Sequence, residues 1–105
     1  MMRGLLLVFA VFLSLATQLT FSQGVISGKV YDKITLEPLQ GVYVLYNKGQ
    51  GTITGSDGTF TLKADSGKPD ITFKFIGYKP LTVSVEIISG SETVLNAGLE
   101  MEIRE

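Results

Sequence analysis

The chain contains no cysteine, no histidine and no tryptophan in its 105 residues. The missing cysteines exclude a disulfide framework, a thiolate metal site, a cysteine nucleophile and the lipid-modified cysteine of a bacterial lipoprotein. The missing histidines exclude the usual zinc sites of peptidases and every Ser-His-Asp arrangement. The sequence therefore predicts a protein that has neither an enzymatic activity nor a cofactor.

An excess of charge of one sign is also lacking. Nine Lys and Arg residues against ten Asp and Glu residues leave a formal net charge of −1. Proteins that bind nucleic acid or an anionic membrane surface carry a basic excess, so the sequence predicts neither partner. Paired carboxylates of a glycosidase are not indicated either, because Asp57, Asp65 and Asp70 lie beside predicted turns.

The long apolar run lies at the N-terminus. Arg3 precedes an apolar stretch over residues 4–16, and a more polar segment that contains the small residues Thr20 and Ser22 follows. This order is typical of a signal peptide, and the run is shorter than the roughly 20 residues that cross a bilayer as a helix. We therefore predict a cleavable leader over residues 1–22. The mature chain would begin at Gln23, lack a transmembrane span and be exported to the periplasm, the outer membrane or the medium.

From residue 25 onward, short β-branched and aromatic stretches alternate with turn residues, and no stretch carries a helical period. Strands are predicted over residues 25–32, 42–46, 52–54, 59–63, 71–76, 81–88 and 93–101. Seven short strands predict an all-β, two-sheet Greek-key sandwich. The sandwich would occupy residues 23–100, and residues 101–105 would form a tail or the start of a linker.

Alternation along each strand predicts which side chains are buried. Ile26 and Val30 should face the core. Lys29 and Asn96 should face solvent, which argues against a buried Lys-Asn crosslink between the first and last strands. The other residues predicted to face the core are Val42, Val44, Phe60, Leu62, Ile71, Phe73, Phe75, Val83, Val85, Ile87, Leu95, Ala97 and Leu99.

Turn residues separate the predicted strands. Pro38 and Gly41 favour a bend before the second strand, and Ser56-Asp57-Gly58 is typical of a hairpin turn. Asp57 could offer oxygen ligands to Ca²⁺ together with nearby carbonyl groups. A single carboxylate beside a glycine lacks the alternating acidic residues of a dedicated calcium loop, so we predict a turn at Asp57 and no metal site.

The order and spacing of these segments resemble the carboxypeptidase-regulatory-like domains found at the N-termini of TonB-dependent outer-membrane transporters of Bacteroidetes-type bacteria. The matching pieces are Ile26-Ser27-Gly28-Lys29-Val30, Pro38-x-x-Gly41-x-x-Val44, Asp57-Gly58-Thr59-Phe60 and Phe75-Ile76-Gly77-Tyr78. The resemblance implies a transthyretin-like (prealbumin-like) sandwich with no chemistry of its own. Gly55 departs from the pattern, because many members carry Asp there. The sequence stops at Glu105, where a transporter would continue into a linker and a barrel, so a fragment and a stand-alone module both remain open.

Two binding functions are predicted, and a purely structural spacer also remains open because it demands no particular surface residues. The first is an accessory domain that binds a protein partner in the periplasm or outer membrane, as the N-terminal extension of a TonB-dependent nutrient transporter. The alternative is a secreted carbohydrate-binding or adhesion module, because exposed aromatic rings can stack on sugars. The candidate binding residues are Tyr31, Tyr43, Asn47, Asp57 and Tyr78. Outward tyrosines on strands also serve cross-strand packing alone.

Overall fold

The computed structural model describes residues 23–47 and 49–103. The predicted leader, residues 1–22, lies outside the described residues and stays a prediction. Within the described part of the chain, no helix has the length and hydropathy needed to cross a membrane.

Strands are the only regular secondary structure in the described residues, and they form two sheets, which confirms the all-β sandwich. The strands are β1 (Gln23–Asp32), β2 (Tyr43–Tyr46), β3 (Gln50–Ile53), β4 (Thr59–Asp65), β5 (Asp70–Lys74), β6 (Leu81–Ser84), β7 (Glu92–Val94) and β8 (Ala97–Leu99). In one sheet β1 is central, with β4 on one side and both β7 and β8 on the other. The other sheet has the order β3-β2-β5-β6.

The seventh predicted strand, residues 93–101, is divided into β7 and β8. Both pair in parallel with β1 in a single register, with Ser27 opposite Val94 and Val30 opposite Ala97. The regular ladder is interrupted because the side-chain oxygen of Asn96, and not a main-chain carbonyl, accepts the N–H of Lys29 at 3.0 Å.

Gly28 lies directly against this interruption. A Cβ atom at position 28 would be 1.8 Å from the carbonyl oxygen of Leu95. The segment between β7 and β8 can therefore approach β1 this closely only because residue 28 has no side chain.

The core lies between the two sheets and contains the residues that alternation predicted. Ile26, Val30, Val42, Val44, Ile71 and Phe73 are fully buried. Phe60 and Phe73 pack edge to face with ring centroids 5.8 Å apart, a favoured aromatic geometry. Four predicted core residues are only partly buried at its margin: Phe75, Val83, Val85 and Leu95. Tyr46 and Ala64 are buried although the prediction omitted them.

The two ends of the sandwich carry different segments. At the first end, called the Asp32 end here, β1 finishes at Asp32, and the Tyr78–Met101 bridge lies beside it. At the opposite end β1 begins at Gln23, whose carbonyl oxygen accepts the N–H of Gly90 at 2.9 Å. Ile88, 57% exposed, belongs to that opposite end.

Candidate functional site

The Asp32 carboxylate organises its end of the sandwich. The side chain is buried and accepts three hydrogen bonds, from the Tyr78 hydroxyl at 2.6 Å, the Ile34 N–H at 2.8 Å and the Thr35 N–H at 3.0 Å. Because these donors favour the ionised form, and the Tyr78 hydroxyl most, the pKa of Asp32 is lowered from 3.8. The same bond raises the pKa of Tyr78 from 10.0. The contact ties the end of β1 in one sheet to the segment after β5 in the other.

The loop after β1 is folded tightly around this carboxylate. Leu36 has a φ of 65°, a left-handed conformation that is unusual for leucine. Two main-chain hydrogen bonds hold the loop, from the Leu36 N–H to the Asp32 carbonyl oxygen and from the Asp32 N–H to the Glu37 carbonyl oxygen, both at 2.8 Å. The result is that Ile34 and Leu36 project into solvent, 80% and 68% exposed.

An apolar cleft lies beside the loop, and we call it the Asp32 cleft. It has a volume of about 330 Å³ and is lined by Asp32, Ile34, Thr35, Glu100, Met101 and Ile103. Met101 is 53% exposed and Ile103 is 82% exposed. The cleft therefore combines exposed aliphatic walls with one buried carboxylate whose oxygens already accept protein hydrogen bonds.

A second depression, called the Tyr43 depression, lies on the outer face of the β3-β2-β5-β6 sheet. Its volume is about 430 Å³, and it is lined by Gly41, Tyr43, Lys74, Phe75, Ile76, Tyr78 and Pro80. Tyr43 is 54% exposed. The rings of Phe75 and Tyr78 stand 5.6 Å apart and tilted by 33°. The exposed Tyr43 ring and the Lys74 side chain, with the partly buried rings of Phe75 and Tyr78 beside them, form a surface on which a flat polar ligand could stack.

The structure brings together two of the five predicted binding residues. Tyr43 and Tyr78 line the same depression. Tyr31 lies in the other sheet, where its ring covers Gly98. A Cβ atom at position 98 would be 3.0 Å from a carbon of the Tyr31 ring. Asn47 precedes β3 and Asp57 follows it, so these two residues lie beyond opposite ends of that strand and do not join one site.

Asp57 occupies a turn. One of its carboxylate oxygens accepts the Thr59 hydroxyl at 2.6 Å and the Thr59 N–H at 3.1 Å. These bonds, the hydroxyl first, lower the pKa of Asp57 from 3.8. Among the described residues no group of three or more His, Cys, Asp or Glu is placed to hold a metal ion.

The Asp32 cleft was not predicted from the sequence. Alternation places Asp32 only at the end of a strand, and no motif distinguishes Ile34, Met101 or Ile103. One signal was available: Asp32 is followed by Thr35 in a loop that ends at Pro38, and Asp commonly accepts hydrogen bonds from main-chain N–H groups two or three residues later. The contact between Asp32 and Tyr78, 46 residues apart, has no sequence signal.

Two packed β-sheets joined by loops define a β-sandwich module. The family model of the CarboxypepD_reg-like domain matches residues 26–105, so the chain belongs to the CarboxypepD_reg-like domain family. The comparison with curated protein sequences finds no match.

Solved structures with the same fold come from several kinds of protein. A 3-chlorocatechol 1,2-dioxygenase from Rhodococcus opacus 1CP superposes with a TM-score of 0.63 at 13% identity, over 79% of this chain and 62% of that chain. A putative membrane-associated protein of unknown function from Bacteroides fragilis has a TM-score of 0.59 at 16% identity, over 79% and 29% of the chains. A putative carbohydrate binding protein from Bacteroides uniformis has a TM-score of 0.56 at 15% identity, over 76% and 42%. This chain thus spans less than two thirds of each of these proteins, and at such identities the likeness establishes the fold alone.

Proposed function

We propose that this chain is an exported accessory domain of the cell envelope that binds a protein partner through its Asp32 end, as the N-terminal extension of a TonB-dependent nutrient transporter. Membership of the CarboxypepD_reg-like family supports the accessory role. The observation that carries the binding role is the cluster of exposed aliphatic side chains around the Asp32 cleft.

Exposed aliphatic residues are common when scattered, but contiguous apolar surface marks interaction sites. Ile34, Met101 and Ile103 line one cleft and are 80%, 53% and 82% exposed. Ile76, 95% exposed, precedes Gly77, whose carbonyl oxygen accepts the Glu102 N–H at 2.8 Å. This hydrogen bond joins the segment after β5 to the segment that contains Met101 and Ile103.

The conformation of Leu36 gives a second reason. A left-handed leucine costs on the order of 1–2 kcal/mol, and such strain persists where surrounding structure holds it, often at binding sites. Here the hydrogen bonds to Asp32 and Glu37 hold the loop and fix Ile34 and Leu36 in an exposed position. Fixing these side chains before binding lowers the entropy that association must overcome.

Site-specific photo-crosslinking tests the proposed surface. A photoreactive side chain replaces Ile34 in the protein as its source cells make it, and a second variant carries the same group at Ile88. Ile88 is the matched control, since it is an isoleucine with 57% exposure at the opposite end of the sandwich. We expect a discrete adduct with an envelope protein from position 34 and none from position 88. Equal crosslinking at both positions, or none at position 34, would contradict the proposal.

Carbohydrate binding is the second candidate function, and the Tyr43 depression is the observation that favours it. Stacking of sugar rings needs an exposed aromatic face with polar groups beside it, and Tyr43 with Lys74 provides both. The fold likeness to a putative carbohydrate binding protein agrees with this candidate.

A glycan array probed with the exported protein decides whether the second candidate holds. Binding that Tyr43→Ala abolishes would support it. Tyr31→Ala is the control, because Tyr31 lies in the other sheet outside the depression. The absence of binding across a broad array would exclude this function for the Tyr43 depression.

A further inference from the structure

The outer edge of β3 presents unpaired main-chain groups. β3 is the last strand of its sheet and pairs only with β2 in the described structure. Hydrogen bonding alternates along an antiparallel ladder, so the pattern at one position fixes the others. The Thr54 N–H donates to the Val42 oxygen at 3.0 Å. Gln50 and Thr52 therefore bond to β2, and the N–H and C=O groups of Gly51 and Ile53 point away from the sheet.

The edge at β4, on the same side of the sandwich, is protected. The Thr59 N–H donates to Asp57 at 3.1 Å, and the Asp65 N–H donates to the Tyr46 hydroxyl at 3.1 Å. Between these two capped positions stands the charged side chain of Lys63. Caps and a lysine on an edge strand are features that discourage the addition of another strand.

The edge at β6 is tied to the neighbouring sheet at both ends. The Lys79 N–H donates to the Glu100 oxygen at 2.8 Å, and the Thr93 hydroxyl donates to the Glu86 oxygen at 3.3 Å. β3 has no comparable tie along its outward groups in the described structure, and its sequence, Gln-Gly-Thr-Ile, is uncharged.

We propose that β3 is a dimer interface at which two copies of this chain pair antiparallel, about a two-fold axis through Thr52. In this register Gly51 of each copy faces Ile53 of the other. Both residues have their main-chain groups directed outward, so the pairing forms four main-chain hydrogen bonds. The result is a continuous eight-stranded sheet of the order β6-β5-β2-β3 followed by its symmetry mate. A two-fold interface of this kind requires a self-complementary surface.

The side chains of β3 are self-complementary in the same register. Ile53 lies opposite Tyr43 on the outer face and is 54% exposed. Two residues away, Gly51 lies opposite Leu45 and leaves a depression of about 540 Å³, lined by Tyr43, Leu45 and Ile53 among others. Dimerisation places the Ile53 side chain of each copy over Gly51 of the other, where it covers Leu45.

The dimer therefore contributes a residue to the surface beside Tyr43. Each Ile53 would form one wall of the outer face of the other copy, next to that copy's own Tyr43. This dimer interface involves neither the Asp32 cleft nor a bound carbohydrate.

Sedimentation of the exported protein tests the interface with a pair of proline variants. Ile53→Pro removes an outward N–H without removing a bond to β2, and we expect the dimer to dissociate to half its mass at the same concentration. Thr82→Pro is the control. The Val85 N–H donates to the Pro69 oxygen at 3.1 Å, and because hydrogen bonding alternates along the ladder, the Thr82 N–H, three residues earlier, points away from β5. This substitution therefore also removes an outward N–H, but from the β6 edge. We expect Thr82→Pro to remain dimeric, and far-UV circular dichroism shows that each variant is folded.

A disulfide trap tests the position of the axis. Thr52 would face Thr52 of the second copy as a non-hydrogen-bonded pair, in which Cβ atoms are about 4.5–5.5 Å apart. The chain has no native cysteine, so Thr52→Cys can form only an intermolecular disulfide. We expect rapid oxidation to a covalent dimer, and little for Thr82→Cys, although Thr82 is the more exposed residue. A monomer at every concentration, a dimer that survives Ile53→Pro, or equal crosslinking of the two cysteine variants would overturn the proposal.

Discussion

Gly28→Ala should destabilise the sandwich through one close contact. Gly28 lacks positive φ, so the cost of substitution arises from space and not from backbone conformation. An added Cβ would lie 1.8 Å from the Leu95 oxygen, whereas real Cβ atoms essentially never approach closer than 3.0 Å. The segment around Leu95, between β7 and β8, would have to move by at least about 1.2 Å, the difference between these two distances.

That movement would break the bonds on either side of the contact. The Leu95 N–H donates to the Ser27 oxygen at 2.7 Å, and the Lys29 N–H donates to Asn96 at 3.0 Å. Each bond contributes about 0.5–1.5 kcal/mol net, and overpacking adds about 1–3 kcal/mol. Alanine restricts the unfolded chain more than glycine does and offsets about 0.4–1 kcal/mol. These contributions sum to an expected net loss of about 1–6 kcal/mol of unfolding free energy.

Urea denaturation followed by circular dichroism measures this loss against a matched control. Gly55→Ala introduces the same methyl group where the nearest atom, an Asp57 oxygen, is 3.6 Å away in ordinary contact. We expect that variant to match the wild type or to gain up to about 1 kcal/mol. Equal midpoints for Gly28→Ala and Gly55→Ala would refute the close approach of the last strand to β1.

Three further predictions concern the core and the contact between Asp32 and Tyr78. Phe73→Ala should cost about 3–5 kcal/mol in urea denaturation, because Phe73 is fully buried and leaves a cavity. The pKa of Asp32 is lowered in the folded state, so its contribution to stability is present above pH 3.8 and is lost as the pH falls below it. Thermal unfolding should therefore show that Tyr78→Phe melts at a lower temperature than the wild type, and that this difference in melting temperature narrows below pH 3.8. An undiminished difference would contradict the assignment. The pKa of Tyr78 is raised in the folded state, so its contribution to stability is present below pH 10.0 and is lost above it. The difference in melting temperature between wild type and Tyr78→Phe should therefore narrow again above pH 10.0.

Much of the fold follows from alternation alone. Ile26 and Val30 point inward and Lys29 outward because successive side chains on a strand face opposite sides. The same rule applied to the strand that begins at Val42 would have placed Tyr46 inside. Tyr46 was not among the predicted core residues. Its polar hydroxyl tolerates burial because it donates to the Asp65 carboxylate and accepts the Asp65 N–H.

The parts that sequence reasoning missed depend on contacts between distant segments. The last strand divides because an Asn96 side chain substitutes for a main-chain acceptor of Lys29, 67 residues away, and no local pattern distinguishes that from a continuous strand. The Asp32 cleft depends on Tyr78 reaching Asp32 across the two sheets. Tyr43 was recognisable as an outward aromatic residue, but its proximity to Tyr78 follows only from the sheet order.

The most direct test of the central claim, an exported accessory domain of a larger envelope protein, is an immunoblot of fractionated source cells with an antibody to this domain. We predict a band in the outer-membrane fraction that is much heavier than 105 residues would give. A band no larger than the domain itself, found in the cytoplasm or free in the medium, would contradict that claim.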